Sequence, residues 1–313
     1  MTLATYNVNG IRAARRRGLS AWIRRRSPDV ICLQETRCPA DRLPSGIFEG
    51  YRGAYCPGVL AGRNGVAVLT RAPATAVRTW GGEVFSVGDE RTTPIDPGRV
   101  GLAGGALARA LGEFVDEGRY LEVDLADEPV TVACLYLPKG DSLLAPSVRT
   151  RAPTPEQLEG VRHRYERKMR FLEGFRPQLA RSRRAAARAG RQFVVVGDFN
   201  IARDRADVKN WRPAQKASGF LPEERAWLAE QLGPRTLVDV VRSLHPDESG
   251  PYSWWSWMGR AFARDTGWRI DYHLAAPGLA RTAVSGTTER DPDGSARVSD
   301  HCPVVVTYDT ARL

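Results

Sequence analysis

The chain reads as a succession of short apolar runs of strand length, separated by polar turns and a few segments with helical spacing. Residues 3–8 read as a first strand. Leu19, Trp22, Ile23 and Arg26 recur at helical spacing, which predicts a short helix over 18–27 that stops at Ser27-Pro28. Residues 29–34 and 65–70 are the next strands. Residues 120–125 and 130–137 should pair as a hairpin around Ala126-Asp127-Glu128-Pro129. A long helix is expected over 155–189, carrying Leu158, Val161, Tyr165, Met169 and Leu172. Residues 193–196 form a strong buried strand. Helices over 222–232 and 237–241 and strands over 252–257, 268–275, 283–288 and 304–308 complete the pattern.

Strands alternate unevenly with helices, and hairpins intrude. That predicts an α/β protein with mixed sheets rather than a parallel βαβ array. No low-complexity linker or short repeat divides the chain, so one domain is expected over 1–313. Residues 88–118 are rich in Gly, Ala, Pro and Arg and interrupt the strand succession. They read as a surface insertion.

Composition narrows the class. Of 313 residues, 42% are apolar, enough for a substantial core. No run of about 18 apolar residues exists, so no membrane-spanning helix is expected. The N-terminus has no apolar h-region, so no secretory signal is expected. Five cysteines without a C-x-x-C pair argue against a disulfide framework and against zinc, and fit a reducing cytoplasm. Cys32 and Cys134 lie in apolar runs and read as core. The net charge of +10 would attract polyanions. Only four of the 46 basic residues are lysine, and an arginine skew of this kind weakens that inference.

Candidate chemistry collects where predicted strands end: Asn7 and Asn9, Glu35, Tyr136, Asp198 and Asn200, Asp271, and Asp300-His301. Strand ends are favoured places for sites in α/β sheets. Residues two apart on a strand share a face, so Asp198 and Asn200 should converge while Phe199 packs the other way. A carboxylate beside an amide suits a reacting phosphate: the acid deprotonates water and the amide donates to a phosphate oxygen. Asn7, Glu35 and Asp300, with Asp198 and Asn200, supply hard oxygen ligands of the kind magnesium takes; manganese could substitute. His301, with Asp271 as partner, would be held as an imidazolium able to donate to phosphate. His163, His245 and His273 read as structural or exposed, and Trp255 and Trp257 as core.

The elements stand in one order along the chain: Tyr6-Asn7-Val8-Asn9-Gly10-Ile11-Arg12, Leu33-Gln34-Glu35-Thr36-Arg37, Gly65-Val66-Ala67-Val68-Leu69, Tyr136-Leu137-Pro138, Gly197-Asp198-Phe199-Asn200-Ile201, Gly219-Phe220-Leu221-Pro222-Glu223-Glu224-Arg225, Gly267-Trp268-Arg269-Ile270-Asp271-Tyr272 and Ser299-Asp300-His301-Cys302-Pro303. This order resembles the exonuclease III family of AP endonucleases, within the endonuclease/exonuclease/phosphatase superfamily, over about nine-tenths of the chain. The resemblance implies a four-layer α/β sandwich, two packed mixed sheets flanked by helices. It implies Mg2+-dependent hydrolysis of duplex DNA 5′ to abasic sites, with 3′-5′ exonuclease and 3′-end-cleaning activity as possible companions. By position, Asn7 and Glu35 match the metal site, with Asp300 nearby. Tyr136, Asp198 and Asn200 match residues around the scissile phosphate, and Asp271 and His301 match the acid–histidine pair.

An abasic nucleotide costs less to extrude than an intact one. Trp254, Trp268 and Ile270 are the expected walls of its pocket, with Met258 and Arg37 as further DNA contacts. Arg37 replaces the lysine common in the family, and 88–118 is longer than the family's usual connection. A cytoplasmic monomer without membrane or obligate protein partners is expected. The alternatives are a nonspecific nuclease or a lipid or inositol phosphate phosphatase of the same superfamily, and a non-catalytic DNA-binding protein.

Overall fold

The computed structural model describes residues 1–60, 62–88, 91–147 and 153–313. The first half runs β1 (Thr2–Asn7), α1 (Ile11–Arg16), α2 (Leu19–Arg26), β2 (Val30–Gln34), β3 (Arg52–Cys56), β4 (Val66–Thr70), β5 (Ala76–Thr79), β6 (Phe85–Val87), β7 (Thr92–Pro94), β8 (Val100–Leu102), β9 (Tyr120–Asp124) and β10 (Val130–Tyr136). The second half runs α3 (Pro155–Arg188), β11 (Gln192–Asp198), α4 (Trp211–Ala214), α5 (Pro222–Glu230), β12 (Val238–Asp239), α6 (Val240–Leu244), β13 (Asp271–Ala275), α7 (Pro277–Ala280), β14 (Ala283–Thr288) and β15 (Val304–Tyr308). The strands form two mixed sheets, β14-β15-β1-β2-β4-β3-β6-β7 and β12-β13-β11-β10-β9-β5-β8.

The central strands are apolar on both faces because both faces are covered. In β10, Val130, Val132, Cys134 and Tyr136 pack between the sheets against Cys32, Val66, Val68, Val194 and Val196. Ala133 and Leu135 face the other way, onto Phe171, Phe175 and Leu179 of α3. On the opposite side, α1 and α2 bring Ile11, Leu19, Trp22 and Ile23 onto Ala4, Tyr6, Ile31 and Leu33. The result is the expected four layers: helix, sheet, sheet, helix. Helix α3 starts where the sequence predicts, with Thr154 and Gln157 forming a reciprocal capping box and Pro155 in its first turn.

Several expectations are corrected. Residues 252–257 form no strand; Trp254 alone makes isolated bridges, to Trp268 and His301, and the strand expected from 268 begins at Asp271. Residues 237–241 split into β12 and the start of α6. Short β3 and β5–β8 and the helix α1 were not legible as apolar runs. The segment 88–118 is not simply a surface insertion. It supplies the edge strands β7 and β8, one to each sheet, and buries Ala103, Leu111 and Phe114 in the α3 core; its residues 89 and 90 lie outside the described residues. All five cysteines are free and buried. Among the described residues no helix is long and apolar enough to cross a membrane.

Candidate active site

Strand register gathers the polar residues. β1 and β2 run parallel with Asn7 opposite Gln34, so Asn7 and Glu35 leave the first sheet together. β10 and β11 run parallel with Tyr136 opposite Asp198, and antiparallel β13 places Asp271 against Asp198. Asp300 and His301 arrive just before β15. All of them except Asp271 line one cleft of about 350 Å3 at the carboxyl ends of the two parallel pairs, and Asp271 lies behind His301.

Past the strand ends the backbone turns left-handed, at Asn9 (φ 45), Glu35 (φ 52), Arg37 (φ 51) and Asn200 (φ 49). Such conformations are uncommon outside glycine and cluster at functional sites. They correct the strand-alternation reading. Asn200 lies beyond β11 and reaches Asp198 because the chain curls back: its N–H donates to Asp198 Oδ1 at 2.8 Å. Asn9 N–H donates in the same way to Asn7 Oδ1 at 3.0 Å. Phe199 is buried against Tyr272, as expected.

Asp198 is fully enclosed. Its Oδ2 accepts from Asn7 Nδ2 at 2.9 Å and Asn200 Nδ2 at 3.2 Å, and His301 Nε2 stands 3.8 Å away. The other imidazole nitrogen, Nδ1, meets Asp271 Oδ2 at 2.8 Å. Ser253 Oγ accepts the backbone N–H groups of Ile270 and Asp271, which fixes the acid. Burial alone would pull the imidazole down, but Asp271 and then Asp198 outweigh it and raise His301 to about 10. Burial foremost, then Asp271, pushes Asp198 up to about 7 against the opposing pull of His301 and the donated hydrogen bonds.

Glu35 Oε1 accepts from Tyr136 Oη at 2.6 Å and from Arg37 Nη2 at 2.7 Å. The buried phenol lies well above its ordinary value, chiefly through burial and then through Glu35 and Asp198, so Tyr136 is a donor throughout. Asp300 accepts from Asn9 Nδ2 at 2.7 Å and from Trp254 Nε1 at 3.1 Å. Burial raises Asp300, yet His301 and these two hydrogen bonds hold it below the ordinary carboxylate range.

The donor set fits a hard divalent cation at Glu35 and Asp300, with the amide oxygens of Asn7 and Asn9 in the same cleft. Asp198 and Asn200, also expected as ligands, line the same cleft and are held by protein hydrogen bonds. Both Asp198 oxygens already accept protein donors, and Asn200 Nδ2 donates to Leu137 O at 2.8 Å as well as to Asp198, so its amide hydrogens do not reach for phosphate. Asp198, Asp271 and His301 do bring ligand-type atoms within 4.8 Å of one another. There the imidazole bridges the two carboxylates, Nδ1 at 2.8 Å from Asp271 and Nε2 at 3.8 Å from Asp198.

Trp254, Trp268 and Ile270, expected as pocket walls, form an apolar wall of the cleft. The indoles meet edge to face at 6.3 Å, and Phe220 packs behind Trp268 at 6.2 Å. Arg37 lines the cleft. Met258 does not line it and is 61% exposed. Trp255 is core, but Trp257 is not: it is 45% exposed, with the guanidinium groups of Arg297 at 4.2 Å and Arg17 at 5.1 Å. Of the histidines set aside, His273 is buried and bonded to Tyr308 and Val304, and His163 is exposed. Lys139, Ser218 and Gly219 line the cleft without having been chosen from sequence. Lys139 directly follows Tyr136-Leu137-Pro138 and Gly219 opens the stretch 219–225, both among the segments that carry the family resemblance, so adjacency was the available signal.

The comparisons agree with this geometry. The zebrafish (Danio rerio) DNA repair nuclease APEX1 is 28% identical over 311 residues, covering 98% of this chain and 81% of that protein. The exodeoxyribonuclease of Bacillus subtilis (strain 168) is 27% identical over 305 residues, covering 97% and 98%. The solved structure of an AP endonuclease from Archaeoglobus fulgidus superposes with a TM-score of 0.73 at 25% identity, covering 99% of both chains. The model of the endonuclease/exonuclease/phosphatase family matches residues 4–301, from the first strand to the site histidine, and the chain belongs to that family.

Proposed function

We propose that this protein is a magnesium-dependent DNA repair nuclease that hydrolyses the backbone 5′ to abasic sites. The observation that carries the reading is one hydrogen bond. Trp254 Nε1 donates to Asp300, so the apolar wall is joined directly to the cation-binding end of the cleft. A deoxyribose without a base would rest against Trp254, Trp268 and Ile270 while its 5′ phosphate meets the polar end.

The cation, held by Glu35 and Asp300 with Asn7 and Asn9 beside them, would neutralise phosphate charge and stabilise the leaving oxygen. Asp198 takes the proton of the attacking water; Asn7 and Asn200 hold the carboxylate in place. His301 presents Nε2–H to a phosphate oxygen, and Asp271 keeps the ring oriented and charged. Tyr136 spends its hydroxyl on Glu35 and so positions that carboxylate. Arg37, Lys139 and the exposed Met258 contact the DNA strand beside the site. The same pocket accepts a damaged 3′ terminus, which accounts for 3′-end cleaning and exonuclease activity. The protein acts as a monomer in the cytoplasm, on the chromosome.

A labelled duplex bearing one abasic analogue tests this reading beside an intact duplex and an inositol polyphosphate, each with magnesium and with chelator. Selective, chelator-sensitive incision at the analogue is expected. Turnover of the inositol polyphosphate alone would overturn it.

A further inference from the structure

Helices α3 and α5 meet in an ion pair with no solvent exposure: Lys168 Nζ lies 2.6 Å from Glu224 Oε1. Desolvating two charges is expensive and is offset only when the remaining donors and acceptors also find partners. Here all of those partners but Leu221 belong to residues that line the cleft. Lys168 Nζ donates to Asn200 O at 2.9 Å and to Lys139 O at 3.2 Å. Glu224 Oε2 accepts the backbone N–H of Gly219 at 2.6 Å and of Leu221 at 3.0 Å. Ser218 Oγ closes the ring by donating to Lys139 O at 2.8 Å. Three loops that line the cleft, at Lys139, Asn200 and Gly219, thus hang from one buried pair.

Each loop is held where a small displacement would matter. Asn200 is in a left-handed turn, and its N–H fixes Asp198. Gly219 has φ 92, and a Cβ there would come within 3.3 Å of Trp268 and 3.0 Å of Asn200 O, so this backbone abuts the apolar wall. Gly140 has φ 70 and allows the Lys168 stem to pass; a Cβ would stand 2.5 Å from Lys168 Cδ.

We infer that Lys168 and Glu224 form a positioning pair that sets the width of the apolar pocket and its registry with Asp198, and so decide whether a nucleotide that still carries its base is turned away. Neither residue touches the substrate; both act through Asn200, Gly219 and Trp268. The inference rests on the abasic-site reading for its substrate and on geometry alone for its mechanics.

The test uses Glu224→Gln, which keeps the shape, and the neutral double variant Lys168→Met with Glu224→Gln. The ratio of kcat/KM on abasic and intact duplexes is measured for both and for the wild type. The protein is also labelled with 5-fluorotryptophan, and Trp268 is assigned among its eight tryptophans by Trp268→Phe. The pair acting as a unit predicts the same loss in both variants: discrimination falls at least tenfold, in part through a rise in kcat/KM on the intact duplex, and the Trp268 fluorine signal shifts or broadens while most others stay. An unchanged ratio with an unmoved Trp268 signal overturns the inference. Broadening of all eight signals together also overturns it, since the pair would then be holding the fold and not the pocket. If the wild type fails to incise abasic DNA, the functional reading fails, and the Trp268 signal still decides whether the pair positions the wall.

Discussion

Two buried ionic clusters lie within a few residues of each other and do opposite things. Arg269 bonds Asp207 through Nε at 2.8 Å and Asp239 through Nη1 and Nη2 at 3.0 and 2.7 Å, and Arg242 adds a second cation on Asp207 at 2.6 Å. Two cations face two carboxylates. Burial pulls Asp207 up, but Arg269 overcomes it and holds that carboxyl below its ordinary range. Two residues further along, Asp271 and Asp198 share one imidazole, and burial with the excess negative charge pushes Asp198 upward. The balanced cluster has nothing left to give and ties β12, β13 and the 207 loop together. The unbalanced cluster holds a carboxylate near neutrality, ready to take a proton.

Breaking each cluster should separate the two roles. His301→Asn and Asp198→Asn should each lower kcat by about 10^2- to 10^4-fold, and Asp198→Asn, which keeps the shape and removes a charge from the acidic pair, should leave the urea midpoint little changed. Arg269→Met should do the reverse. It leaves buried Asp239 without its cation and Asp207 with Arg242 alone, and should cost about 3–5 kcal/mol in urea denaturation, with kcat in the folded fraction within a few-fold of wild type. Equal effects on both measurements in all three variants would erase the distinction.

The pH profile sharpens it. Asp198 must be ionised to accept a proton and His301 must be charged to donate. The rate should therefore rise as pH passes about 7 and fall as it passes about 10, with both limbs belonging to the coupled network. Asp271→Asn removes the largest support for the imidazolium and should move the alkaline limb downward in a kcat/KM–pH series. A limb that stays in place would detach it from His301.

The smallest expected effect concerns a third buried group. Burial lowers His273 to about 4, so the neutral ring is the folded form. Below about 6.5 the unfolded chain takes up a proton that the folded chain refuses. Its contribution is complete above that pH and is lost as pH falls toward 4, amounting to about 2 kcal/mol at pH 5. His273→Gln should flatten that part of the stability curve, as measured by urea unfolding at pH 7 and pH 5.

Much of this was legible in the sequence because the central strands carry continuous apolar runs that end in polar residues. The long helix was legible through the spacing of Leu158, Val161, Tyr165, Met169 and Leu172. Other features were not. β7 and β8 are three-residue edge strands without an apolar run, so 88–118 looked like an insertion although Leu111 and Phe114 are core. Asp198 and Asn200 were rightly paired for a wrong reason, since a left-handed turn and not strand alternation joins them. Lys168 and Glu224 lie 56 positions apart on two helices, and nothing in either segment announces that they meet. Trp257 was misplaced because an aromatic beside Trp255 reads as core until its neighbouring guanidinium groups are seen.

The turn at Asn9 has a consequence for how the protein ages. An asparagine followed by glycine is the sequence most prone to cyclise, when the glycine nitrogen attacks the side-chain amide carbon and ammonia leaves. At Asn9-Gly10 that nitrogen is engaged: Gly10 N–H donates to Glu35 O at 2.7 Å, while Asn9 Nδ2 is held by Asp300. Ring closure would have to break both bonds. The contacts that shape the cation-binding end of the cleft thereby also protect it from slow deamidation, which would otherwise place an extra carboxylate beside Asp300.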